Sequence, residues 1–153
     1  MPMSFFVHHV SKRYEIWVPE KIDKVFSFFS NARNLERITP DFLEFKVLNE
    51  GEIEMKEGLL IDYKLKLHGI PFRWQSEITK WEPKSAFEDC QRRGPYVYWD
   101  HMHLFEEKDG GTLVIDSIKF AVPGGYLIYK MFVEKDVEKI FQFRTEKLQN
   151  FFG

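Results

Sequence analysis

The chain has 153 residues, of which 44% are hydrophobic and 17% aromatic, with 16 Phe among them; this excludes a disordered or purely solvating chain and is enough for one domain with a real core. Its 22 basic and 24 acidic residues leave a formal net charge of -2, too little to gather nucleic acid or an anionic membrane over long range, so no nucleic-acid partner is expected. The one cysteine, Cys90, excludes an intrachain disulfide and a thiol-rich metal cluster.

The first segment, Phe5 to Val18, alternates and is rich in β-branched and aromatic residues, which predicts a long strand with a bulge near Ser11. The same stretch lacks the sustained apolar run of a secretory signal. No stretch approaches the ~20 apolar residues of a membrane helix. A cytoplasmic protein without stable membrane insertion is therefore expected. Pro19 then opens a helix, with Ile22, Val25, Phe26 and Phe29 at helical spacing, and Asn34 to Ile38 forms a second short one.

From Phe42 to Val122 the period changes to two. Phe42–Leu48, Leu59–Leu67, Phe72–Trp81, Ala86–Arg92, Tyr98–Glu106 and Thr112–Val122 read as strands. Links as short as Asp109-Gly110-Gly111 force antiparallel neighbours, because parallel pairs need long crossovers. After Pro123-Gly124-Gly125 comes the longest helical stretch, Tyr126 to Phe152, roughly 40 Å if continuous. Tyr129, Val133, Val137, Ile140, Arg144, Leu148 and Phe151 form its apolar stripe, widened by Phe132, Phe141 and Phe143. With no repeat or linker, residues 1–153 read as one domain.

The order of strand, two short helices, six strands and long helix predicts an α+β fold, in which a seven-stranded curved antiparallel sheet wraps around the C-terminal helix. One rod cannot fill a curled sheet, so the space between is either packed with large side chains or kept as a cavity. In this order of elements the chain resembles the START-like (SRPBCC, birch-pollen-allergen-like) superfamily, in its bacterial cyclase/dehydrase-like branch. The text that carries the resemblance is FEDCQRRGPYVYWDHMHLF from Phe87 to Phe105 and DSIKFAVPGG from Asp116 to Gly125, and with the element order it spans essentially the whole chain. The resemblance implies a helix-grip fold with an internal cavity for a small hydrophobic molecule of lipid, polyketide or aromatic type. A polyketide cyclase or aromatase is the alternative, and no universal catalytic residue carries over.

Strand parity places Trp99, His101 and His103 on one face, and likewise Trp74 with Ser76, Asp89 with Gln91, and Asp116 with Phe120. If these faces are concave, they make an aromatic cavity with a small polar cluster. The helix side chains Tyr129, Phe132 and Phe141 would close it as the opposite wall. The plain reading of the histidines is a pair of core imidazoles bonded to Asp116 or Asp89. Orienting a ligand carbonyl or hydroxyl comes next, and acid/base catalysis by His101 or His103 last. His-x-His with Asp116 is of a type zinc accepts, but nothing in the resemblance supplies a metal, and none is expected. Arg144 within the helix stripe is either a stem that snorkels at the helix edge or a partner for a ligand carboxylate. Without a P-loop, a dinucleotide fingerprint or Gly-x-Ser-x-Gly, no cofactor is expected.

Overall fold

The computed structural model describes residues 6–153. Strand β1 (Val7–Val18) is followed by helix α1 (Ile22–Phe29), a 3-10 helix over Ala32–Ile38, a 3-10 turn over Asp41–Leu43, and strands β2 (Lys46–Val47), β3 (Leu60–Leu67), β4 (Ile70–Glu82), β5 (Ala86–Arg93), β6 (Tyr98–Lys108) and β7 (Gly111–Pro123). The C-terminal helix comprises α2 (Tyr126–Ile128), a π-helical turn (Tyr129–Val133) and α3 (Glu134–Phe152). The sheet has seven strands in the order β1-β7-β6-β5-β4-β3-β2, so only β1 is out of chain sequence. Every neighbouring pair is antiparallel. This is the helix-grip architecture that the element order implies.

Two of the hairpins rest on two-residue turns with both φ positive: His68 (φ 50°) with Gly69 (φ 78°), and Asp109 (φ 49°) with Gly110 (φ 77°). That turn matches the right-handed twist of the flanking strands. The sheet is bent elsewhere. Register shifts between β4 and β5 fall at Gln75/Ser76 and at Ile78/Lys80, and such irregularities kink a strand and increase its twist. By contrast β1 pairs with β7 without interruption from Val7↔Pro123 to Val18↔Thr112, so the bulge expected at Ser11 is absent. Phe5, the expected first residue of that strand, lies outside the described residues.

Three further expectations are corrected. Helix α1 begins at Ile22 rather than at Pro19. The strand expected over Phe42–Leu48 shrinks to Lys46–Val47, because Pro40 starts a 3-10 turn that Glu44 closes in the left-handed region at φ 45°. The terminal helix is not uniform: the π turn adds one residue to a helical turn and rotates the remainder of the helix by about 100° relative to a regular 3.6-residue period. Tyr129 therefore stays buried while Phe132 is 45% exposed.

Buried side chains form two clusters. The larger joins α1, through Val25, Phe26 and Phe29, to Phe87, Phe105 and Val114 of the sheet and to Leu148 of α3. The smaller, Ile118, Phe120, Val122, Tyr129, Val137 and Phe141, lies where the first turns of the terminal helix cross β7. No helix among the described residues is long and apolar enough to cross a membrane. Phe120 is fully buried and touches Tyr96, Trp99 and Tyr129. The Phe120→Ala variant is expected to lose about 3–5 kcal/mol of unfolding free energy, read from urea denaturation; a loss below about 1 kcal/mol would mean that the second cluster is not a stabilising core.

Candidate functional site

Three strands converge beneath α3. In the sheet, Asp89 on β5 stands opposite His101 on β6, and His103 stands opposite Asp116 on β7. The hydrogen bonds run diagonally to this register. His101 Nε2 donates to Asp116 Oδ1 at 2.8 Å, and His103 Nε2 donates to Asp89 Oδ2 at 2.6 Å. Diagonal neighbours in a ladder are within reach of long or aromatic side chains. The imidazoles stack with centroids 3.8 Å apart and planes 16° from parallel, and Phe87 stacks on the other face of His103 at 4.0 Å.

From above, Arg144 of α3 donates its NH2 group to Asp116 Oδ1 at 3.0 Å and lies 3.3 Å from His103 Nδ1. Its guanidinium carbon sits 5.3 Å from the Phe29 ring centroid. The Arg144 stem is thus neither snorkelling nor exposed: the residue is 7% accessible. Its Nε is the one buried side-chain polar atom without a hydrogen-bond partner among the described residues.

The charges follow from these contacts. Burial alone would raise the Asp116 carboxyl, but the Arg144 charge and the bonds from both histidines hold it well below the usual carboxylate range. Asp89 is likewise lowered, as its bond and charge pairing with His103 outweigh burial. Burial also works against protonation of His103, yet its bonds to Asp116 and Asp89 prevail and raise it above 6.5. His101 goes the other way, lowered by burial and by the neighbouring His103 charge. Between the lowered His101 and the raised His103, the cluster holds two carboxylates, one guanidinium, one imidazolium and one neutral imidazole, and its formal charge is then zero. Neutral His101 keeps its proton on Nε2 for Asp116, so Nδ1 is left with a lone pair.

A cavity of about 160 Å³ opens beside this cluster. Phe29, Leu43, Ile61, Leu65, Trp74, Trp99 and Ile140 are among its apolar walls, and Ser76, Asp89, His101, His103 and Arg144 contribute its polar side. Trp74 Nε1 donates to Ser76 Oγ at 3.0 Å, and the Tyr63 hydroxyl bonds the same oxygen. Asp89, His101 and His103 present ligand atoms within 4.8 Å of one another. Each Nε2 is committed to a different carboxylate, and the Arg144 cation adjoins His103, both of which work against a metal ion there.

Of the twelve residues expected to line the cavity, Trp74, Ser76, Asp89, Trp99, His101 and His103 do so. The others are placed differently. Asp116 is behind the histidines, as their anchor. Phe120, Tyr129 and Phe141 belong to the second core cluster, with Phe141 stacked on Tyr14 at 4.4 Å. Phe132 is turned out by the π turn and packs against His68. The Gln91 side chain folds away to bond the Tyr96 backbone, accepting from its N–H at 3.2 Å and donating to its carbonyl at 2.8 Å. Strand parity missed Tyr63, although its place directly opposite Trp74 in the β3–β4 register would have revealed it. It also missed Phe29, Ala32, Leu35 and Leu43, which the short helices contribute. Cys90 forms a contact with Thr79 at 3.5 Å and points away from the cavity; burial pushes its thiol up to about 12, so it is no nucleophile at neutral pH.

A curved sheet gripping a terminal helix over an apolar cavity with one polar side defines a START-like, birch-pollen-allergen-like protein. Residues 18–148 match the model of the family described as polyketide cyclase / dehydrase and lipid transport, and the chain belongs to that family. Solved structures agree on the fold. Major latex-like protein 151 of Panax ginseng is similar at a TM-score of 0.69 and 13% identity, over 95% of this chain and 98% of that one. Protein CV1439 of Chromobacterium violaceum gives 0.71 and 12%, over 99% and 98%. Ara h 8.0201 gives 0.66 and 14%, over 94% and 97%. No curated protein matches the chain in sequence.

The raised His103 sets a pH window for stability. A group whose folded pKa exceeds its unfolded value of 6.5 contributes stability that is complete below that value and lost as pH rises through the folded one. Urea midpoints of the wild type, followed from about pH 6 to about pH 9, are expected to fall by more than those of His103→Gln, which keeps a donor for Asp89 but cannot titrate. Equal slopes would show that His103 is not the titrating group.

Proposed function

We propose that residues 1–153 act as one cytoplasmic unit that binds a small, mostly apolar, neutral molecule between sheet and terminal helix. The observation that carries this reading is the cavity itself, apolar on most sides and polar at the His101/His103/Arg144 cluster. A few convergent polar groups in an apolar hollow are the usual makeup of a small-molecule site. Family membership in a group described by cyclisation, dehydration and lipid transport supports it. Charge decides the class of ligand further. With His103 protonated the cluster is neutral, so an anionic ligand would leave an unbalanced buried charge unless a proton came with it. A neutral hydroxyl or carbonyl has no such cost. His101 Nδ1 can accept from a hydroxyl, and Trp74 and Trp99 offer ring faces beside it.

Volume sets the scale. An apolar cavity of about 150 Å³ holds benzene, so the inner 160 Å³ suits a single ring. para-Cresol is the matching probe. Calorimetry is expected to show one site with a negative heat-capacity change, the mark of apolar burial. The Ile140→Trp variant, which fills the hollow from the partly exposed helix side, should fold and lose that binding. Saturable binding unchanged by Ile140→Trp would place the site elsewhere, and no binding by the wild type would remove the reading.

One observation favours a second reading as a cyclase/dehydrase-type enzyme: His101 and His103 both face the cavity with pKa values displaced in opposite directions. Such a pair separates a base from an acid at neutral pH. His101 Nδ1 would take a proton from an enolisable carbon and His103 would stabilise the enolate. Acetophenone incubated in deuterated buffer tests this. The enzyme reading expects α-carbon exchange that His101→Asn abolishes, and exchange no faster than buffer removes it.

A further inference from the structure

Beyond the inner cavity lies a second apolar pocket of about 340 Å³, between the β3–β4 turn and the π turn of the terminal helix, with Ile70 and Phe132 on its walls. Leu67 and Tyr96 wall both spaces. On the inner side the Tyr96 ring packs against Trp74 at 5.7 Å and Trp99 at 4.9 Å. On the outer side its phenol is raised by burial and by the charge of Asp136, which lines the second pocket.

We infer that Tyr96 is a movable partition between two halves of one binding site, and that the preferred ligand is an elongated amphiphile with its polar end at the imidazoles and its apolar chain passing Tyr96 into the outer pocket. This rests on the ligand-binding reading and deepens it. Volume is the first argument. The inner cavity alone is about half the lower end of the usual ~300–1,000 Å³ for ligand pockets, whereas the two spaces joined fall within that range. The second is how Tyr96 is held. The β5–β6 ladder stops at Cys90↔Asp100, so the chain from Gln91 to Trp99 has no cross-strand pairing in that ladder. Val97 is fixed by donating to Ala121 at 2.9 Å, but Tyr96, one residue before it, is tied by the Gln91 side-chain amide at both N–H and carbonyl. A side chain thus substitutes for the missing strand. Gly94 makes room for it, since a Cβ there would sit 2.3 Å from Gln91 Oε1. A loop tied by one side-chain amide opens at far smaller cost than a strand held by a ladder. The third is exposure: Ile70 is 58% and Phe132 45% accessible, apolar surface that a ligand chain in the outer pocket would cover.

The test is a series of para-alkylphenols from para-cresol to para-octylphenol, titrated calorimetrically into wild type, Tyr96→Ala and Gln91→Ala. In the wild type, affinity is expected to rise with the first carbons and then stall where the chain meets the ring. In Tyr96→Ala the rise continues at about fourfold per added methylene, the increment of apolar burial. Gln91→Ala keeps the ring but frees its loop and should extend the rise in the same direction, which holds the test if Tyr96→Ala folds poorly. Length profiles identical in all three proteins overturn the partition. Failure of every protein to bind even para-cresol overturns instead the ligand-binding reading on which it stands.

Discussion

The structure depends on how one arginine is neutralised. Arg144 comes down from α3 onto Asp116 of β7 at 3.0 Å, with His103 beside it at 3.3 Å and Asp89 beyond. A buried cation without a partner is far costlier than any single apolar contact. The position of α3 over the sheet is therefore set by this contact as much as by Leu148 or Phe141. The same constraint explains the raised His103. Buried Asp116 and partly buried Asp89 outnumber one guanidinium, and a protonated His103 restores the balance. Helix placement, the protonation states and the polar side of the cavity are three consequences of one charge count.

The space beside the cluster follows from geometry. A twisted sheet with two register shifts between β4 and β5 curls away from a straight rod. Helix α1 and the 3-10 segment over Ala32–Ile38 close one end, contributing Phe29, Ala32 and Leu35 as walls. The aromatic load is divided accordingly. Phe26, Phe87 and Phe105 pack edge-on and stacked in the larger core, while Trp74 and Trp99 face the hollow.

The fold was legible in the sequence because each of its signals is local. Alternation marked the strands, the Asp109-Gly110 turn marked its hairpin, and the three-to-four spacing marked the terminal helix. The histidine–aspartate cluster was legible for a related reason, since strand parity alone puts His101 and His103 on one face, with Asp116 in reach on the next strand. Other features escaped because they depend on interactions between elements. Nothing in the helical period announces the π turn that moves Phe132 outward. Parity gave Gln91 the same face as Asp89, but its amide met an unpaired loop and folded onto it. The strand expected from Phe42 was lost to a 3-10 turn beginning at Pro40. Arg144 was ambiguous until the sheet supplied a carboxylate beneath it.

The cluster also weighs binding against catalysis. A general base has to change charge during turnover, and here any change is resisted by the neighbours. Protonating His101 would bury a second charge and put it 3.8 Å from the His103 ring, and burial and that neighbour are what lower its pKa at rest. Deprotonating His103 would leave Asp89 and Asp116 opposed by Arg144 alone. Each step costs more the drier the site becomes as a ligand fills it. A ligand that only exchanges hydrogen bonds with Nδ1 of His101 asks for neither change. The balance of charge at the helix therefore suits the proposed reading, a molecule that is held, better than the second, one that is transformed.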